Sequence, residues 1–140
     1  MTLVSAVIAG ILFAFFDYTF YNTLGQKKLT LYRVIQTAFQ ILLVVALWFV
    51  GPLASVLFML LWWTWNCDLL YYFFCYILHW YSAQPKNSFE QYILSDTVTW
   101  AWWTPYGLIR GHKSEPIDGD ILVIQASAGI ILSIVLQYLS

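Results

Sequence analysis

Apolar residues run along this chain in stretches too long for a water-soluble fold. A helix of about 20 residues crosses a hydrocarbon core, and the pattern predicts four such spans, at 3–24, 31–50, 52–81 and 120–138. The second and third belong to one apolar run, divided at Gly51-Pro52. Glycine ends one helix there, and proline suits the first position of the next. Asp118-Gly119-Asp120 precedes the last span as a turn and N-cap, with its carboxylates at the positive end of the helix dipole. Backbone groups in lipid must find partners inside their own segment, so all four spans are read as helices. The expected fold is all-α: a four-helix transmembrane bundle forming one domain over 1–140.

Residues 88–109 are read as an additional interfacial, Trp-rich helix. Their uncharged part, Thr97 to Ile109, has 13 residues and contains Pro105 and Gly107, which makes it short and broken for a crossing. If it lies at the surface, Lys27, Lys28, Arg33, Lys86, Arg110 and Lys113 all fall on one face; if it crosses, the six divide four against two. The positive-inside rule favours the first arrangement, with both termini on the non-cytoplasmic side. Trp100, Trp102 and Trp103 suit the headgroup boundary, where an apolar ring with one polar N–H is at home. Met1-Thr2 runs directly into apolar residues without the basic region of a signal peptide, so the first helix reads as a retained span.

Composition agrees with this reading. Of the 140 residues 61% are hydrophobic, 20% aromatic and only 9% charged, where soluble domains carry about 25% charged residues. A cytosolic globular domain and a disordered tail are excluded. Six Lys/Arg against seven Asp/Glu leave no basic field for nucleic acid. The expected location is a bacterial inner membrane or an organelle membrane, with membrane lipids as surroundings.

Polar groups inside lipid are costly, so their placement is informative. In the orientation above, the cytoplasmic halves hold Asp17, Tyr21 and Asn22 on the first helix and Arg33, Gln36 and Gln40 on the second. They also hold Asp68, Tyr72, Cys75 and His79 on the third and Gln125 and Ser127 on the fourth. The outer halves are almost wholly apolar. Four helices that concentrate polarity at one depth predict a polar cavity opening toward the cytoplasmic leaflet. Helical spacing places Trp65, Asp68, Tyr72, Cys75 and His79 on one stripe of the third helix. Ala6, Gly10 and Ala14 form a small-residue face that Asp17 and Tyr21 continue, and Gln125, Gly129 and Ser133 form a similar stripe.

Asp68 is the leading candidate. It reads either as a carboxyl that exchanges a proton with a ligand, or as a packing group bonded to Arg33, Gln36 or Tyr72. Asp17 and His79 would support it as polar neighbours. Trp65 and Tyr72 would form a wall, and Gln36, Gln40 and Gln125 would supply further polar contacts. Arg33 would hold an anionic headgroup bidentately. The aromatic block from Trp62 to Tyr76 fits a flat or cationic ligand, and equally fits core and lipid-facing packing. Cys75 and His79, at i and i+4, are a two-residue fragment of a metal site that His112 or a loop carboxylate would complete. A hydrogen-bonded interfacial histidine is the plainer reading, and no metal is assigned. Cys67 and Cys75 lie about 12 Å apart along one helix and cannot bridge. GxSxG, HExxH, P-loop and GxGxxG patterns do not occur, so the cofactor is left open.

A membrane-buried acid flanked by rings in a small bundle is similar in general character to integral-membrane terpene cyclases. There an acid protonates an isoprenoid and aromatic rings stabilise the cation. The likeness rests on Asp68 and its neighbours and transfers no residue. The resulting expectation is a small membrane protein binding or transforming a lipid-like or isoprenoid-like amphiphile by acid/base chemistry at Asp68. The alternatives are a non-catalytic subunit of a larger membrane complex, in which Asp17 and Asp68 pair with another chain, and a homodimeric transporter.

Overall fold

The computed structural model describes residues 2–25, 27–64, 66–80, 97–98, 104–110 and 117–140. Helix α1, Thr2–Phe20, runs into a π-helical turn, Tyr21–Gly25. The hydroxyls of Thr19 and Thr23 bond back to the carbonyls of Phe15 and Thr19, at 2.9 and 2.8 Å. Helix α2 spans Leu29–Val50 and is followed by α3, Pro52–Trp63, and α4, Asn66–Trp80. A two-residue strand β1, Thr97–Val98, pairs antiparallel with β2, Ile117–Asp118. Between them lies the short helix α5, Pro105–Arg110, and the last helix α6 covers Gly119–Leu139.

Three helices, α1, α2 and α6, are each long and apolar enough to cross a membrane. Their outward side chains are the bulky apolar ones a lipid environment accepts: Ile8 and Phe15 on α1, Leu42 and Phe49 on α2, Ile124 and Ile131 on α6. On a soluble monomer so much exposed apolar surface would drive association. The protein is helical and membrane-embedded.

Helix α1 is the centre of the bundle, touching α2, α3, α4 and α6. It buries Ala6, Ala9, Gly10, Phe13, Ala14 and Asp17, the small-residue face seen in the sequence with the acid at its lower end. Small side chains let backbones approach closely where lipid supplies no hydrophobic drive between helices. Leu57, Phe58 and Leu61 of α3 and Cys67 of α4 fill the core against that face. At the α2–α3 corner the Gly51 N–H bonds to the Leu47 carbonyl at 2.9 Å and Pro52 opens α3. The Ser55 hydroxyl donates to the Val44 carbonyl at 2.9 Å, clasping α3 to α2.

The third apolar run is not one straight helix. It bends by 63° between α3 and α4. Thr64 ends α3 by folding its hydroxyl onto the Leu60 carbonyl at 2.8 Å, a back-bond that competes with the helical ladder. The Asn66 amide then donates to Thr64 Oγ1 at 3.0 Å and to the Ala126 carbonyl of α6 at 3.1 Å. Opposite the break, Gly129 lies so close to Thr64 that an added Cβ would fall 1.9 Å from its Oγ1. The Thr64 side chain thus returns to the end of α3, and the Asn66 side chain ties the break to α6.

The stretch expected as one interfacial helix over 88–109 differs where it is described: residues 97–98 are extended and paired with 117–118, and a helix begins only at Pro105. Proline has no N–H to give a preceding turn and is pre-set for the first helical position. Trp100, Trp102 and Trp103 lie outside the described residues. At α6 the expected cap is modified. Asp118 occupies the N-cap position without a side-chain bond, and Asp120 accepts the Ile121 N–H at 2.8 Å instead.

Candidate functional site

A cavity of about 350 Å³ opens between the lower end of α1, the π-turn, the start of α2 and the first half of α4. Its walls are Asp17, Tyr21, Leu29, Tyr32, Arg33, Gln36, Asp68, Tyr71 and Tyr72. The elements explain the grouping. Asp17 ends the buried stripe of α1, and the π-turn carries Tyr21 onward beside it. Tyr32 and Gln36 are one turn apart on α2 and so face the same side. The break between α3 and α4 places Asp68 in the first turn of a new helix, with Tyr71 and Tyr72 one turn further along it.

The two carboxyls are held differently. Asp17 is buried, and its Oδ1 accepts hydrogen bonds from the Tyr32 hydroxyl and from the Gln36 amide, the latter at 2.7 Å. The Gln36 carbonyl oxygen accepts in turn from the Arg33 guanidinium at 3.2 Å. The guanidinium also sits over the Tyr32 ring, 5.7 Å from its centroid. One acid and one base are therefore joined through a shared amide. Asp68 has no such arrangement: its Oδ2 is shielded from solvent and has no hydrogen-bond partner among the described residues. A buried carboxylate oxygen without a donor is costly unless something else arrives to meet it.

Tyrosine rings wall the space between these acids. Tyr21 meets Tyr32 edge-on at 5.4 Å and Tyr71 at 6.2 Å, and Tyr71 meets Tyr72 at 5.7 Å. The site is polar on one side of α4 only. On the opposite side, Gly10, Cys67, Leu70 and Phe73 line an apolar groove of about 440 Å³.

Of the residues singled out in the sequence, Asp17, Arg33, Gln36, Asp68 and Tyr72 surround this one cavity. Gln40 is not among its walls; its amide points at the Met59 sulfur, 3.9 Å away on α3. Gln125 is also elsewhere: its Oε1 accepts the Tyr106 N–H at 2.8 Å, tying α5 to α6. Trp65 lies outside the described residues, and so does the side chain of His79, whose backbone belongs to α4. Cys67 and Cys75 are buried free thiols. Among the described residues no three His, Cys, Asp or Glu side chains gather as metal ligands.

Sequence reasoning passed over Tyr32, although a signal existed. The Gln36–Gln40 stripe extended back one turn lands on it. Tyr71 was visible only as part of an aromatic block, which the structure divides. Trp62 packs against the core, Phe73 faces the apolar groove, and Tyr71 and Tyr72 face the polar cavity.

The chain matches no protein-family model, no curated protein and no solved structure. What it does is therefore read from the cavity's own chemistry.

Proposed function

We propose that this is a four-pass membrane protein that binds an amphiphile in the α1–α2–α4 cavity and exchanges a proton with its headgroup at Asp68. The supporting observation is the contrast between the two acids. Asp17 is committed to Tyr32 and Gln36, whereas Asp68 lines the same cavity with one carboxyl oxygen that has no hydrogen-bond partner among the described residues. A group in proton exchange needs a ligand within hydrogen-bond reach rather than a permanent protein partner. In this reading Asp17 and Gln36 position Arg33 and Tyr32, and Asp68 is the acid/base group. His79 and Trp65 keep the roles expected from the sequence, polar support and wall, as part of this proposal.

The test is retention of ligand in mild detergent. Lipid extraction and mass spectrometry should find one amphiphile enriched far above bulk lipid in the parent protein and depleted in a folded Asp68→Asn variant. Bulk lipid in equal proportions in both would overturn the reading. If Asp68→Asn instead changes migration on native gels, the carboxyl pairs across a subunit boundary and the protein is a component of a larger complex.

In this proposal α3 and α4 form one broken crossing. Their 12 and 15 residues give about 18 and 22 Å of helix, enough to traverse the core despite the bend. Discontinuous helices near the middle of a membrane also create binding sites in transporters. Single cysteines at Lys27, Ser82, Ser114 and Ser140 distinguish this from a re-entrant loop. An impermeant thiol reagent should reach the first three from one side and Ser140 from the other. Lys27 and Ser82 on opposite sides would show that the pair turns back.

A further inference from the structure

We infer that the headgroup taken by this cavity carries an organic ammonium, a protonated amine whose N–H can pass its proton to Asp68. The inference deepens the amphiphile reading and rests on it. The charge count around the cavity is the first observation. Arg33 and Asp17 are linked through Gln36, so one positive and one negative group already answer each other. That leaves Asp68, whose shielded Oδ2 has no donor among the described residues. Inside a membrane a carboxylate persists where a cation or several donors meet it. The described residues lining the cavity supply no second cation for it.

The wall is the second observation. Four tyrosines, Tyr21, Tyr32, Tyr71 and Tyr72, face this space, and ring faces attract cations, quaternary ammonium among them. The surface already hosts one: the Arg33 guanidinium lies over the Tyr32 ring. Arg33 is itself exposed, at the cavity's rim. The lining therefore sets two carboxyls, Asp17 and Asp68, and four tyrosine rings against the single guanidinium of Arg33, which is the recognition chemistry of an ammonium rather than of a phosphate or carboxylate.

The experiment uses the full chain purified in a neutral maltoside detergent and titrated below micellar concentration, with intrinsic fluorescence as the readout. Decylammonium, decanoate and decyl glucoside share a chain and differ in head charge; methylammonium carries the charge alone. The expected result is saturable binding of decylammonium, at least tenfold tighter than decanoate and decyl glucoside. Asp68→Asn should weaken the cation tenfold or more while leaving decyl glucoside unchanged. Tyr71→Leu keeps an apolar side chain and removes the ring face, so it should weaken the cation severalfold and supplies a second readout independent of the charge change. Decanoate binding as tightly as the cation, or cation binding indifferent to both substitutions, overturns the ammonium inference and leaves the amphiphile reading standing. Methylammonium binding as tightly as the decyl compound keeps the ammonium and removes the amphiphile. Saturation by none of the four overturns both.

Discussion

Gly129 and Gly10 are both helical glycines at helix contacts, and the same substitution should act on them with opposite sign. A Cβ added at Gly129 would lie 1.9 Å from Thr64 Oγ1, 2.6 Å from Thr64 Cβ and 2.9 Å from Thr64 Cγ2. Rotating the threonine cannot relieve the second distance, so α6 must move away from the α3–α4 break. Such overpacking costs about 1–3 kcal/mol. The shift also strains the bond from Asn66 to the Ala126 carbonyl, three residues earlier on α6, which adds about 0.5–1.5 kcal/mol. Alanine's better helix propensity returns about 0.8–1 kcal/mol. The net expectation for Gly129→Ala is a loss of about 0.5–3.5 kcal/mol, or roughly 2–12 °C in Tm for a chain of this size. At Gly10 the added Cβ would meet Cys67 Sγ at 3.7 Å, an ordinary contact. Gly10→Ala should therefore be neutral or raise Tm slightly through helix propensity. Thermal unfolding in one neutral detergent measures both. Thr64→Gly removes every clashing atom, so in a double-mutant cycle Gly129→Ala should cost little in the Thr64→Gly background. Equal Tm values for the two alanine variants in the parent, or no coupling in the cycle, would refute the idea that this contact fixes the break.

Further expectations follow from single contacts and are measured in the same unfolding assay. Tyr32→Phe leaves the buried Asp17 with the Gln36 amide as its remaining named donor and should cost about 1–3 kcal/mol; an unchanged Tm would show that this hydroxyl is not needed there. Phe58→Ala empties a fully buried site between α1 and α3 and should cost about 3–5 kcal/mol, the largest loss expected of any one truncation. Ser55→Ala removes the α2–α3 clasp, but polar contacts between membrane helices average only about 0.6 kcal/mol. A loss above about 2 kcal/mol there would mean the corner depends on that hydroxyl rather than on Gly51-Pro52.

The long apolar helices were legible because lipid imposes one requirement, an unbroken run of apolar residues with internal hydrogen bonds, which a sequence displays directly. The division at Gly51-Pro52 was legible because both residues have strong backbone preferences. The break at Thr64 was not. Threonine and asparagine carry helix-interior and helix-ending roles alike, and which applies here depends on Gly129, 65 residues away in the chain. The gathering of Asp17, Arg33, Gln36, Asp68 and Tyr72 could be anticipated from depth alone, since spans taken to alternate in direction place polar groups at a common level. Depth does not fix rotation about the helix axis, however. Gln40 and Gln125 lie on polar stripes as expected, yet they face Met59 and Tyr106 instead.

The break and the acid belong together. On one uninterrupted helix from Pro52 to Trp80, Asp68 would sit in mid-ladder, with every neighbouring N–H bonded to a carbonyl one turn back. Because α4 starts afresh at Asn66, Asp68 falls in its first turn, where backbone N–H groups are free of helical partners and the helix dipole presents its positive end. The bend also turns α4 so that Tyr71 meets Tyr21 of the π-turn across the cavity, with Tyr72 against Tyr71. Straightening the run would remove the favourable field at Asp68 and open the tyrosine wall at the same time. The stability of the small contact between Thr64, Asn66 and α6 is thus a condition for the chemistry proposed about one helical turn below it.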